Sequence, residues 1–95
     1  MAIRLQPSFE RAYMGRTLAF LKKDDAQSAL HSADEMISHE PTSPVAVETR
    51  AYVLKAIGRR AEAIAEYRKA LRMASDSPEL QHEIEGHLHE LGAIP

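Results

Sequence analysis

The sequence has no cysteine, which excludes disulfides and thiolate–metal sites and leaves the redox compartment open. It has no surplus of basic charge: 12 Lys+Arg stand against 14 Asp+Glu, for a net charge of −2. A dedicated nucleic-acid binder needs such a surplus to displace counterions, so no nucleic-acid partner is expected. No apolar run approaches the ~20 residues that span a bilayer, so no membrane partner is expected either. The opening Met1-Ala2-Ile3-Arg4-Leu5-Gln6-Pro7 lacks the apolar stretch of a secretory signal, and cytoplasmic location is the default expectation. Four glycines, Gly15, Gly58, Gly86 and Gly92, are scattered singly, so a phosphate-cradling loop has nowhere to form. No Ser/His/Asp set and no paired-carboxylate cleft can be read from the spacing. The expectation is a protein that is not an enzyme and carries no cofactor.

What is present is a globular composition in 95 residues, with 44% hydrophobic and 27% charged residues, enough for one domain. No run alternates in the manner of a strand, and the apolar residues recur at helical spacing. Tyr13, Thr17 and Phe20 form one stripe, and Asp24-Asp25 interrupts it. Ala26, Ala29, Leu30, Ala33, Met36 and Ile37 form a second, stopped by Pro41. Ser43 is a candidate N-cap with Pro44 in the first turn, and Val47, Ala51 and Leu54 follow. Gly58 is placed to end that helix in a left-handed conformation. Ala63, Ile64, Tyr67, Ala70 and Leu71 stripe a fourth helix. Ser77-Pro78-Glu79 opens a fifth, striped by Leu80, Ile84, Leu88 and Leu91 and closed by Gly92.

These segments repeat. At a shift of 34 residues Ala29 falls on Ala63, Leu30 on Ile64, Met36 on Ala70, Ile37 on Leu71, Phe20 on Leu54 and Thr17 on Ala51. Small residues fall where two helix backbones come close, and larger apolar ones fill the groove beside them. Ala2-Ile3-Arg4-Leu5 resembles Ala70-Leu71-Arg72-Met73 at twice the shift. The chain is therefore expected to begin inside the second helix of an earlier unit.

With these residues in view, the chain resembles the tetratricopeptide repeat (TPR) family of 34-residue helix–turn–helix units. The likeness runs through Asp24-Asp25-Ala26-Gln27-Ser28-Ala29-Leu30 to Met36-Ile37 and Pro41. It is closer in the second unit, with Ala51, Gly58 and Glu62-Ala63-Ile64-Ala65-Glu66-Tyr67-Arg68-Lys69-Ala70-Leu71. Departures are Arg16 and Arg50 where the family has an apolar residue, Asp24 for the turn glycine, Ala33 for an aromatic and Ser75 for the closing proline. The resemblance implies an all-α solenoid of antiparallel helix pairs. Residues 1–7 would be the remnant of a preceding repeat, 8–41 the first unit, 42–75 the second and 77–92 a capping helix. Two units are fewer than such arrays usually stack, so apolar surface at the N-terminal edge is expected to pair two copies as a homodimer.

In this family the inner helices line a concave groove that binds peptides or partner helices. Carried over, that face is Arg11, Met14, Leu18 and Leu21 from the first unit and Val45, Glu48, Tyr52 and Lys55 from the second. The helical wheel agrees: Met14/Leu18/Leu21 and Glu48/Tyr52/Lys55 are i, i+4, i+7 sets about 100° from the packing stripes. The alternative is that the apolar set is covered by the last helix or by a second copy. The Lys/Asn clamp with which one subclass grips a C-terminal carboxylate is absent, because its places hold Met14, Leu18, Glu48 and Tyr52.

His82-Glu83-Ile84-Glu85-Gly86-His87 has one residue too many for the HExxH zinc motif, and His82 and His87 stand about 140° apart on a helix. His82, Glu85 and His89 share a face and are a weak metal candidate, read first as a solvated surface, so no metal is expected. His87 is expected at the edge of the core. Arg59, Arg60, Arg68, Lys69 and Arg72, with Glu62 and Glu66 among them, read as a salt-bridged outer face. The expected function is non-enzymatic protein–protein interaction, with a self-association or regulatory domain of a larger protein as the alternative.

Overall fold

The computed structural model describes residues 7–94. The proposed remnant Ala2–Gln6 lies outside them. The described chain is all-helical: α1 spans Pro7–Lys22, α2 Ala26–His39, α3 Pro44–Ala56, α4 Arg60–Met73 and α5 Pro78–Glu90. Each helix packs on its neighbour in sequence, and α1 also packs on α3.

The start signals act as their chemistry requires. The Asp25 carboxylate accepts from the Ser28 N–H (3.1 Å) and caps α2. The Ser43 hydroxyl accepts from the Ala46 N–H (3.3 Å) at the head of α3 and donates to Glu10 of α1 (2.7 Å). Ser77 stands at the cap position of α5 but makes no side-chain cap bond.

The stop signals repeat in the backbone itself. Asp24, Gly58 and Gly92 take left-handed φ angles of 62°, 86° and 75°, and they lie 34 residues apart. At each, the following N–H reaches back five residues: Asp25 to Phe20 (2.8 Å), Arg59 to Leu54 (2.9 Å) and Ala93 to Leu88 (2.9 Å). The left-handed residue's own N–H bonds to Leu21, Lys55 and His89 respectively. These are three copies of one Schellman cap, which satisfies the last carbonyls of α1, α3 and α5.

The core follows the stripes. Ala51 and Ala63 are fully buried, as are Ala29, Ala33, Ala70 and Ala74, so short side chains lie where helices press together. Val47, Leu54, Tyr67, Ile84 and Leu88 fill the space around Ala51, Ala63, Ala70 and Ala74. Between α1 and α2 the buried Thr17 hydroxyl donates to Ser32 (3.0 Å), a polar pair sealed inside the packing. Arg50 ties three helices, with Nε 2.7 Å from Asp34 and Nη1 3.6 Å from Glu66. The outer face of α4 is partly as expected: Arg59 pairs with Glu62 at 3.6 Å, while Glu66 turns to Arg50. No described helix is long and apolar enough to cross a membrane.

Candidate functional site

α1, α3 and α5 enclose a cleft of about 300 Å³ lined by Met14, Leu18, Glu48, Thr49, Tyr52, Glu83 and His87. Four of the eight residues assigned to the concave face therefore meet in one cavity. Arg11 and Val45 line an adjoining depression that shares Met14, Leu18, Glu48 and Glu83. Leu21 turns away and packs on the Ala29/Ala33/Val53 cluster. Lys55 reaches α5, with Nζ 3.1 Å from His87 Nδ1 and a hydrogen bond to Glu90. The last helix thus forms a wall of the cleft without covering its apolar residues. Leu18 and Tyr52, 40% and 39% exposed, are the exposed large apolar side chains among the described residues.

The cleft's polar centre is a trio. Ligand atoms of Glu48, Glu83 and His87 lie within 4.8 Å of one another. The spacing argument against a paired-carboxylate cleft is corrected here: Glu48 and Glu83 come from different helices, and packing brings them together. Glu48 is only 7% exposed. Burial, together with the facing Glu83 carboxylate, pushes it from 4.5 up to about 8. Among the described residues no ion pair compensates either carboxylate; the lysine in reach, Lys55, is engaged by Glu90 and His87.

Aromatic groups support the trio from behind. The His87 ring stacks on Tyr67 (4.9 Å, 10°) and meets Tyr52 edge-on (5.9 Å, 71°). Burial, then the Lys55 charge, holds His87 below its usual value, so the imidazole is neutral near pH 7. Lys55 donates to Nδ1, which assigns the ring proton to Nε2. The Lys55 hydrogen bond also holds Glu90 below the usual carboxylate range. The Tyr67 hydroxyl is buried with no hydrogen-bond partner among the described residues, and after burial itself Glu48 is the strongest influence raising it.

His82, Glu85 and His89 are all exposed on α5. The three donors that gather among the described residues are Glu48, Glu83 and His87 instead. His87, expected at the edge of the core, is half-buried there, and Glu83, which the sequence reading gave no role, joins it because their i, i+4 spacing puts them on one helix face. At the other edge, Phe9, Tyr13 and His39 pack together, with Phe9 and Tyr13 4.9 Å apart. Compared with family models, curated proteins and solved structures, the chain finds no match.

Proposed function

We propose that the chain is a non-enzymatic interaction module that docks a segment of a partner polypeptide in the cleft between α1, α3 and α5. The observation that carries this reading is the cleft itself. Its exposed apolar residues, Leu18 and Tyr52, flank a buried carboxyl, Glu48, which is hydrogen-bonded to Glu83, and no cation compensates the pair among the described residues. Apolar rims with a desolvated polar centre favour binding, and a receptor already ordered loses little entropy on docking. The alternative assembly through the leading edge would use Phe9 and Tyr13, which are half-buried.

The scaffold in this reading is a short TPR-like solenoid: two helix–turn–helix units followed by a capping helix. Three Schellman caps at a 34-residue interval support it. So do the buried alanines at both helix crossings and a least dimension of 18 Å, close to two helix layers.

The test is selection of binders from a random peptide display library on the immobilised protein. Peptides are expected to enrich on the wild type and to lose binding to Leu18→Glu and Tyr52→Ala, with helicity and mass unchanged. Enriched peptides that bind both variants as tightly as wild type would refute the assignment of this face.

A further inference from the structure

The cleft specifies what kind of side chain its partner presents. Its walls are apolar and its centre carries two carboxyl groups, Glu48 from α3 and Glu83 from α5. Other acidic groups are matched, Glu90 by Lys55, Asp34 and Glu66 by Arg50, and the Glu10 carboxylate by the Ser43 hydroxyl, while Glu79 and Glu85 of α5 are exposed to solvent. Glu48 and Glu83 have no cation among the described residues: buried Glu48 is hydrogen-bonded to Glu83, so the two carboxyls share a proton and carry one uncompensated negative charge. A negative charge held against apolar walls favours a ligand that supplies a cation. The buried Tyr67 hydroxyl, with no hydrogen-bond partner among the described residues, adds an unmet polar group to the same place.

Two kinds of cation could meet that demand, a metal ion or a basic side chain. The histidine decides between them. A metal-bound imidazole donates its second ring N–H to an acceptor. Here Lys55 donates to Nδ1 instead, which puts the proton on Nε2, and the ammonium stands 3.1 Å from the ring. Both the tautomer and the neighbouring positive charge disfavour a metal. A guanidinium fits the remaining features. Its planar fork can address two carboxylates at once, and its flat faces stack on rings such as Tyr52. A volume of about 300 Å³ suits one anchoring side chain, at the lower bound of cofactor-sized pockets.

We propose that the cleft receives an arginine side chain of the partner, its aliphatic stem between Met14, Leu18 and Tyr52 and its guanidinium on the Glu48 and Glu83 carboxyl groups in place of the proton they share. This rests on the reading that the face docks a polypeptide, and it names the anchor.

The test titrates the full chain with n-butylguanidinium chloride, followed by NMR of the Met14 and Leu18 methyls and the His87 ring. N-butylurea, an uncharged isostere, is the control. Saturable shifts at these residues with a Kd on the order of millimolar are expected. Binding should weaken roughly tenfold or more for N-butylurea and in Glu83→Gln, and it should tighten as the pH rises from 6.5 to 8.5 in the wild type but not in Glu48→Gln. n-Butylammonium should bind more weakly than the guanidinium because it lacks the fork. Equal binding of the urea, or affinity unchanged in Glu83→Gln, would overturn the proposal. So would saturation of the His87 signals by micromolar ZnCl2 alone, which would make the trio a metal centre. If library peptides bind while butylguanidinium does not, the anchor falls and the docking face stands; if neither binds, both fall.

Discussion

Glu48 ties stability to pH in a direction opposite to that of most surface carboxylates. An unfolded-state glutamate ionises near 4.3. In the folded protein, burial and Glu83 hold its proton up to about 8. Between those values the folded state binds a proton that the unfolded state has released, so raising the pH favours unfolding. His87 acts the other way, because its lowered value makes the folded state bind fewer protons; above pH 6.5 that effect adds at most about 0.4 kcal/mol. Glu48 therefore dominates the window from pH 6.5 to 8. The groups facing it there are Glu83 and His87 on α5, Tyr67 on α4, and Tyr52 and Lys55 on α3, while α1 presents Met14 and Leu18. Integrating one proton's difference across the window gives about 1–2 kcal/mol of lost stability. For a chain of this length that is a fall in Tm of roughly 5–10 °C. Urea or thermal unfolding followed by circular dichroism at pH 6.5, 7.25 and 8 measures it directly. Glu48→Gln keeps the shape and removes the titration, so its profile should be flat and its stability at pH 8 should exceed wild type. A wild-type midpoint unchanged across the window, or an equal decline in Glu48→Gln, would refute the placement of this carboxyl.

Two further sets of substitutions test the helix caps and the packing. Gly58 takes φ 86° with open space where a Cβ would stand, so Gly58→Ala should cost about 1 kcal/mol from backbone strain alone. Asp24 already bears that strain at φ 62°, so Asp24→Gly should stabilise by about 0.5 kcal/mol; urea midpoints of the two variants should move in opposite directions. Thr17→Val leaves the buried Ser32 hydroxyl without its donor and should cost about 1–3 kcal/mol, whereas Thr17→Val with Ser32→Ala should cost less than the sum of the single changes. A double-mutant cycle with no coupling would separate the two hydroxyls.

Much of the helical framework could be read in advance because it rests on local chemistry. The Ser43 cap with Pro44, the glycine stops at 58 and 92, and the buried Ala51 and Ala63 each depend on a few neighbouring residues. Asp24 was legible only as an interruption, since an aspartate in the left-handed region has no unique sequence signature. The polar centre was half legible. Glu48 fell on the correct helix face, but its meaning depended on Glu83 and His87, 35 and 39 residues further on and on another helix. Histidines at 82 and 89 drew attention because they resemble a ligand pattern, yet both point to solvent. Leu21 shared the stripe of Met14 and Leu18 but lies a turn closer to α2, whose Ala29 and Ala33 claim it.

The spacing of the caps also explains why the site sits where it does. α1, α3 and α5 each end in the same left-handed cap, so each is a first helix of its interval, and each contributes one side of the cleft. A backbone period can survive with few residue identities because it needs only a residue that tolerates positive φ and a small side chain at each crossing. Residues facing the cleft are under no such restriction. Position 48 is Glu and position 82, 34 residues on, is an exposed His, while the acid that meets Glu48 is its neighbour Glu83. The three caps thus mark where three helices converge, and the residues that differ at equivalent spacing set the chemistry found there. For that reason Glu83→Gln, an exposed and isosteric change, should leave the fold intact while altering the charge of the cleft, and the framework and the site can be perturbed separately.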